Sequence, residues 1–346
     1  MTRKQSVHMC YRSRISAAII LLSVCAVGYG PVPAQAQNAG VPEYRVDPFW
    51  PKVPFPNAWL IQGVPVIDVD DRDHIWAISR SADLRPDESM ATFSPQRGDC
   101  CVAAPEILEF DAEGNLLLSI HAFAIRVGDM RIIVDTCIGR GKVRPLPEWS
   151  ALQSRFLEDL ASIDFALEAV DRVLCTHLHF DHVGWNTLRK GDAWVPTFPN
   201  ARYLVGAAEW EYWKDHEDPY APQAKADSIL PIFEAGLYDL VEMDHVIRDE
   251  IRLIPTPGHT PGHVSVAIES EGQRAIITGD MFHHPFQFVH PEWKDSADVE
   301  SERAFRTRSE FLAKHVGGPV LVLGTHFAAP TGGHVVRDGE AYRFAV

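Results

Sequence analysis

The sequence predicts an α+β protein in two parts: a β-rich segment over residues 37–118, and a larger body over residues 119–346 in which sheets are covered by helices. Three observations predict it. From residue 121 onward, short β-branched runs alternate with stretches of helical spacing, the pattern of sheets carrying helices on their faces. The preceding stretch shows alternating strands about Asp- and Gly-bearing turns and no helical period. Finally, four of the later strands empty into loops that carry His or Asp, which mounts polar side chains on rigid strand ends.

Residues 1–36 carry Arg3, Lys4, Arg12 and Arg14 and no acidic residue, then the apolar run Ile15 to Tyr29, then Pro33-Ala34-Gln35-Ala36. Those are the charge, apolar stretch and Ala-x-Ala site of a secretory signal peptide, so a mature chain starting after Ala36 is expected in the periplasm or outside the cell. The fifteen-residue run falls short of the ~20 residues a spanning helix needs, so no stable membrane anchor is expected after cleavage. Loss of the four positive charges takes the formal charge from −15 to −19. So acidic a chain has no basic stripe to neutralise phosphates, which argues against nucleic acid and anionic membranes as partners. Of the six cysteines, Cys100, Cys101, Cys137 and Cys175 lie beyond the leader; none has Cys-x-x-Cys spacing, and their pairing stays open.

Five prolines between Pro42 and Pro56 make residues 37–60 an extended lead-in. Gly63 to Ile78 reads as two alternating strands about an acidic turn, and Ile107 to Leu118 repeats that logic about Asp111-Ala112-Glu113-Gly114-Asn115, with Ser79 to Val102 as an intervening loop. These turns resemble those of NHL-type β-propeller repeats over roughly residues 43–118. A single blade cannot bury its own faces, so the segment is expected as a blade-like attachment to the body. In the body the expected elements are a hairpin of Phe123 to Val127 with Arg131 to Asp135, a helix from Ser154 to Ser162, and strands Val170 to Cys175 and Ala201 to Val205. Helices over Ala207 to Lys214 and Ala224 to Ala235 follow, then strands Ile251 to Ile254, Val264 to Ile268 and Ala275 to Thr278. A helix from Ser301 to His315 and a strand from Val320 to Leu323 complete the expected order.

The chemistry concentrates in Thr176-His177-Leu178-His179-Phe180-Asp181-His182, where three imidazoles and a carboxylate fall within six residues. Imidazole suits zinc and similar metals, and carboxylate extends the range to manganese and iron. A solvated His-rich loop is the bland alternative, and the spacing favours ligation. Three later strand ends carry further ligand types: His259 in Thr256-Pro257-Gly258-His259-Thr260-Pro261-Gly262-His263, Asp280 after Thr278-Gly279, and His326 after Gly324-Thr325.

In type and chain order, His177-x-His179-x-Asp181-His182, His259, Asp280 and His326 resemble the ligand set of the metallo-β-lactamase fold hydrolases, over roughly residues 119–346. The resemblance implies a four-layer αβ/βα sandwich with a dinuclear site. His177, His179 and His259 are then expected to hold one divalent ion, Asp181, His182 and His326 a second, and Asp280 to bridge both. Zinc is the first expectation, with Mn2+ or Fe2+ as alternatives. Two such ions share a water, lower its pKa and present a bridging hydroxide to an electrophile. Asp181 is expected to orient that hydroxide and pass a proton to the leaving group, and Asp135 to brace an imidazole from behind.

A carboxylate at Asp280, where β-lactam-cleaving members have Cys or Ser, points to the lactonase, glyoxalase and phosphotriesterase branches. The flanks Val183-Gly184-Trp185-Asn186, Phe198 to Tyr203 and Glu209-Trp210-Glu211 are similar to acyl-homoserine lactonases and methyl-parathion-type hydrolases. The expected substrate is therefore a small lactone or other carboxylic ester. Phosphotriester or aryl-ester hydrolysis is the alternative within enzymes, and a non-catalytic metal-containing binding protein the alternative outside them. His283, three residues after Asp280 where some lactonases carry Tyr, is expected to contact a substrate oxygen, with His284 beside it. Phe282, Phe286, Phe288, Trp185 and Trp293 wall either an apolar pocket or the core. Family members place several strands ahead of the one matching Arg131 to Asp135; here residues 37–118 stand in that place.

Overall fold

A computed structural model describes residues 50–52, 59–60, 64, 66–69, 73–78, 102–103, 107–110, 112, 116–117, 119–144, 147–328 and 331–346. The leader, Cys100, Cys101 and most of the stretch from Ser79 to Val102 lie outside these residues. The chain divides into two compact units between Leu118 and Ser119.

In the first unit, Val66–Val69, Ile75–Ile78, Ile107–Phe110 and Leu116–Leu117 form an antiparallel meander in chain order. Ala77, Leu108 and Phe110 are its buried apolar residues, packed with Trp50 and Ile75. Alternation along Ile107–Phe110 puts Leu108 and Phe110 on one face. Trp59–Leu60 pairs in parallel with Val102–Ala103 as a separate small ladder.

The second unit is built on two sheets. One has five strands in the order Tyr238–Val241, Arg202–Gly206, Arg172–Leu174, Met130–Val134, Phe123–Val127. The other has seven, in the order Val246–Arg248, Ile251–Pro255, Val264–Ser270, Gln273–Ile277, Val320–Leu323, Gly332–Asp338, Ala341–Ala345. Successive residues on a strand face opposite sides, and the layers follow from that rule. Ile132, Val134, Leu174 and Leu204 pack against Leu253, Val266, Ile277 and Leu323 of the facing sheet. Their neighbours Ile133, Val173 and Tyr203 face outward onto Phe156, Leu160 and Ile232. On the far side, Ile276 and Val322 face outward onto Phe311 and Leu312 of the helix Ser301–His315. The result is helix, sheet, sheet, helix, the four-layer arrangement expected. Each aliphatic side chain fully buried in these layers contributes about 1.5–3 kcal/mol.

Most expected elements fall within a residue or two of their places. The helix Ser301–His315 is one of them; Glu302 in its first turn and Lys314 in its last complement its dipole. The stretch from Ala224 to Ala235 departs from a plain α-helix: Lys225–Ile229 is a π-helical turn and Leu230–Glu234 resumes the α form. Pro231 has no N–H to give the carbonyl of residue 227. That carbonyl instead accepts the Lys142 ammonium at 2.7 Å and the Thr187 hydroxyl. Arg144 clamps the Asp227 carboxylate through Nη1 at 2.9 Å and Nη2 at 3.1 Å. Two hairpins were not expected: Thr187–Lys190 with Ala193–Pro196, and Gly332–Asp338 with Ala341–Ala345. Most of their positions are half or fully exposed, so neither is marked in the sequence by a run of buried apolar residues. Cys137 and Cys175 are free, buried thiols. Among the described residues no helix is long and apolar enough to cross a membrane.

Candidate metal centre

The functional side chains gather at the ends of strands from both sheets. Arg172–Leu174 ends just before Thr176 and His177, and the short helix Phe180–Val183 carries Asp181 and His182 back toward the same point. His259 lies in the turn between Ile251–Pro255 and Val264–Ser270. Asp280 sits in the turn Gly279–Met281 after Gln273–Ile277, and His326 follows Val320–Leu323.

All seven sequence-expected ligands are brought together. Ligand atoms of His177, His179, His259 and Asp280 lie within 4.8 Å of one another, as do those of Asp181, His182 and His326. The His179 Nδ1 is 3.0 Å from His177 Nε2 and 2.9 Å from His259 Nε2. Ligands about 2.1 Å from one tetrahedral ion stand about 3.4 Å apart, so this convergence is on the scale of a coordination shell. Asp280 Oδ2 is the common point: His182 Nε2 lies at 3.1 Å, His326 Nε2 at 3.2 Å, His259 Nε2 at 3.5 Å and His177 Nε2 at 3.7 Å. Its other oxygen, Oδ1, is buried with no hydrogen-bond partner. A buried carboxylate oxygen without a donor is costly, and a cation is the partner that this donor set fits. Asp181 approaches His182 Nε2 at 3.7 Å and His326 Nε2 at 3.6 Å, with its side chain 14% exposed.

Four of the five ligand imidazoles are aimed by their second nitrogen, as metal-site histidines generally are. His182 donates Nδ1–H to Asp135 Oδ2 at 2.9 Å, the bracing role expected of Asp135. Thr176 Oγ1 receives the Nδ1–H of His177 at 3.1 Å and donates in turn to Asp135 Oδ2 at 2.9 Å. His259 donates Nδ1–H to Asp298 Oδ1 at 3.1 Å, and His326 donates to the Ser119 carbonyl at 2.8 Å. Burial, aided by neighbouring imidazoles, holds His177 and His259 well below the ordinary histidine range. They are therefore neutral, the form a ligand requires.

Three supporting residues were given no role from the sequence. Glu209, buried on the helix Ala207–Trp213, accepts Leu178 N at 3.0 Å between the two ligands of the His-x-His pair. It also takes Trp213 Nε1 at 2.6 Å, Thr260 Oγ1 at 2.7 Å and Gly262 N at 3.1 Å, so one carboxylate ties both ligand loops together. His263 donates Nδ1–H to the Thr256 carbonyl at 3.0 Å and accepts the Asp280 N–H on Nε2 at 2.9 Å, which fixes the backbone of the central aspartate. Asp298 is the third. The repeated His in the turn 256–263 was a signal for His263. Glu209 stood in the flank Glu209-Trp210-Glu211 without a role, and Asp298 had no signal, because acidic residues on helices and in loops are ordinarily solvated.

His283 is also brought into the site: its Nε2 is 3.2 Å from Asp280 Oδ2 and its ring stacks on His326 with centroids 5.5 Å apart. Burial opposes its charge, but Asp295 and Asp280 outweigh it and raise the pKa to about 9. His284 is not among these groups; its Nδ1 accepts the Phe286 N–H at 3.0 Å. The aromatics divide. Phe282, Phe288 and Trp185 are core residues, with Trp185 stacked on Phe156 at 5.6 Å, so they do not wall a pocket. Phe286 and Trp293 are half-buried and stacked on each other at 6.3 Å.

A site of this kind, with His and Asp gathered at the strand ends of two facing sheets, defines a class of metal-dependent hydrolases. The sequence matches the metallo-beta-lactamase superfamily model over residues 116–340, and the chain belongs to that superfamily. An N-acyl homoserine lactonase from Bacillus sp. is 32% identical over 194 residues, covering 52% of this chain and 70% of that relative. The probable metallo-hydrolase YybB of Bacillus subtilis (strain 168) is 26% identical over 191 residues, covering 53% and 71%. Among solved structures, the hydrolase AbOPH of the beta lactamase superfamily aligns at a TM-score of 0.56 and 21% identity over 83% of this chain and 98% of its own. AidC, a dizinc quorum-quenching lactonase, aligns at 0.58 and 16% identity over 82% and 97%. These two share the fold. The protein is a metal-dependent hydrolase of this superfamily.

Proposed function

We propose that this chain is an exported dinuclear metallohydrolase that opens a lactone or cleaves another small carboxylic ester. The observation that carries the reading is Asp280, whose single oxygen Oδ2 lies within 3.7 Å of imidazoles from both halves of the cluster. On this reading His177, His179 and His259 hold one ion, Asp181, His182 and His326 the other, and Asp280 serves both, with zinc the first candidate. When bound, two such ions polarise a carbonyl and lower the pKa of a shared water. The similarity to an N-acyl homoserine lactonase supports the lactone as substrate.

The chain's own groups complete the chemistry. Asp181 is the partly exposed acid of the cluster, at 14%, so it reaches substrate, accepts a proton during attack and returns it to the departing alkoxide oxygen. His283 is 20% exposed and lies beside Asp280; it donates a hydrogen bond to a substrate oxygen, the task for which other members use Tyr. His177, His182, His259 and His326 are engaged on both nitrogens. The composition of residues 1–36 supports export.

The test is a panel of lactones, aryl esters and aryl phosphotriesters run against protein of measured metal content. Lactone hydrolysis that follows metal content, and a fall of about 10²–10⁴-fold in kcat for Asp181→Asn, are expected. Faster turnover of phosphotriesters than of any lactone would overturn the substrate assignment, and full activity in metal-free protein would overturn the mechanism. Amino-terminal sequencing of protein recovered from the cell envelope or medium tests export, with Gln37 expected as the first residue.

A further inference from the structure

The helix Ser301–His315 carries an arginine where its buried stripe calls for an apolar residue. Ala304, Arg308, Phe311 and Leu312 form the buried face, at the spacing of a core-facing stripe, and Arg308 is 0% exposed. Burying a guanidinium is unfavourable unless it is well paired. Arg308 donates Nη1–H to Asp298 Oδ2 at 3.2 Å and Nε–H to the Pro291 carbonyl at 2.8 Å, while Nη2 is buried with no partner. Packing alone would be better served by methionine or leucine. The charge therefore points to a task, and the task lies one residue further on. Asp298, itself 0% exposed on its side chain, holds the Nδ1–H of His259 with Oδ1. Its Oδ2 also accepts the Asp295 N–H at 3.1 Å.

The same segment is tied at its other end. Gln287 accepts the His283 N–H at 2.8 Å and donates to the Trp293 carbonyl at 3.0 Å. Residues 283–298 thus form a strap running from His283 to the support of His259, anchored by Arg308 at Pro291 and Asp298. The other half of the cluster makes no contact with this strap's anchor: Asp135, which also reaches His177 through Thr176, stands behind His182, and the Ser119 carbonyl stands behind His326.

We infer that Arg308 is a positioning residue that fixes Asp298 and, through it, His259, and so sets metal affinity at the His177, His179 and His259 position while leaving the Asp181, His182 and His326 position intact. The inference rests on the dinuclear reading above. Loss of a partner one step behind a ligand generally weakens metal binding about 10–100-fold.

The experiment is metal analysis of the full chain equilibrated in a zinc-buffer series, with cobalt(II) absorption spectra of the reconstituted protein as the second readout. Wild type is expected to bind two ions. Arg308→Met is expected to weaken one of them, its midpoint moved about tenfold to higher free zinc, the lower end of the range for a partner directly behind a ligand because Arg308 acts through Asp298, with the other ion unmoved. Asp135→Asn, which touches His182 directly and His177 through Thr176, is expected to weaken both ions, so its binding curve and cobalt spectrum differ from those of Arg308→Met. Arg308→Lys keeps the charge but cannot serve both Asp298 and Pro291; it is expected between wild type and Arg308→Met, and it is read the same way if the methionine variant is recovered unfolded. Two ions bound with wild-type affinity in Arg308→Met or, failing that, Arg308→Lys overturns the inference, as does equal weakening of both ions. A wild-type chain that saturates at one ion overturns the dinuclear reading itself.

Discussion

At the scale of single residues, the centre depends on groups whose ordinary chemistry has been altered by burial. His263 is the clearest, because burial pushes its pKa down to about 4 while it accepts the Asp280 N–H. The native state then refuses a proton that the unfolded chain accepts near pH 6.5. Its contribution is present above pH 6.5 and is lost as pH falls through about 4. His263→Gln retains a donor and an acceptor without titrating, so its stability, measured by urea unfolding, is expected to fall less steeply between pH 6.5 and 4. The expected difference is one proton's worth, about 1.4 kcal/mol per pH unit. Equal slopes for the two proteins would reject this. The thiols make a second case: burial raises Cys175 to about 12 and raises Cys137 as well. Thiolate is the reactive form, so alkylation at pH 8 followed by peptide mapping is expected to leave both unlabelled in native protein and label both after denaturation.

At the scale of elements, the ligand loops are held by close backbone approach as much as by hydrogen bonds. Gly258, immediately before His259, has φ +139°, and a Cβ there would stand 2.2 Å from the Ala304 amide nitrogen of the helix Ser301–His315. Only glycine allows that contact and that conformation. Gly258→Ala is expected to destabilise the protein by about 3 kcal/mol or more and to displace His259, read as a lower urea midpoint together with loss of bound metal. A stable variant with full metal content would show that the turn relaxes freely. The element scale is also where sequence reading was strongest and then stopped. Strands with one or two buried faces announced themselves, as in Met130–Val134 and Val320–Leu323. The break at Lys225–Ile229 did not, although Pro231 was in plain view. Its consequence depended on Lys142 and Thr187, which arrive from elsewhere in the chain to take the freed carbonyl.

At the scale of the whole molecule, the centre lies between contributions of both sheets, so metal binding and folding are linked. An ion present at about a thousandfold its Kd adds about 4 kcal/mol to stability, which for a body of this size moves Tm by about 10 °C. Chelation is expected to lower the unfolding midpoint by that order and added zinc to restore it; a midpoint indifferent to chelator would mean that the cluster stands without an ion. By itself the sequence determined the donors, their order, and the strand ends that carry them, because a ligand must be a His or Asp and a buried strand must be a short apolar run. It also determined the layers, since period-two alternation assigns each strand residue to one face or the other. What only the tertiary structure decided was the support: Glu209 joining two loops, Asp298 and Arg308 behind His259, His263 behind Asp280, and which aromatics are core. These roles rest on pairings across 17 to 53 positions of sequence, apart from the ten-residue link of Arg308 to Asp298. A buried polar residue is stabilised by its partner, and that partner is adjacent only once the chain has folded.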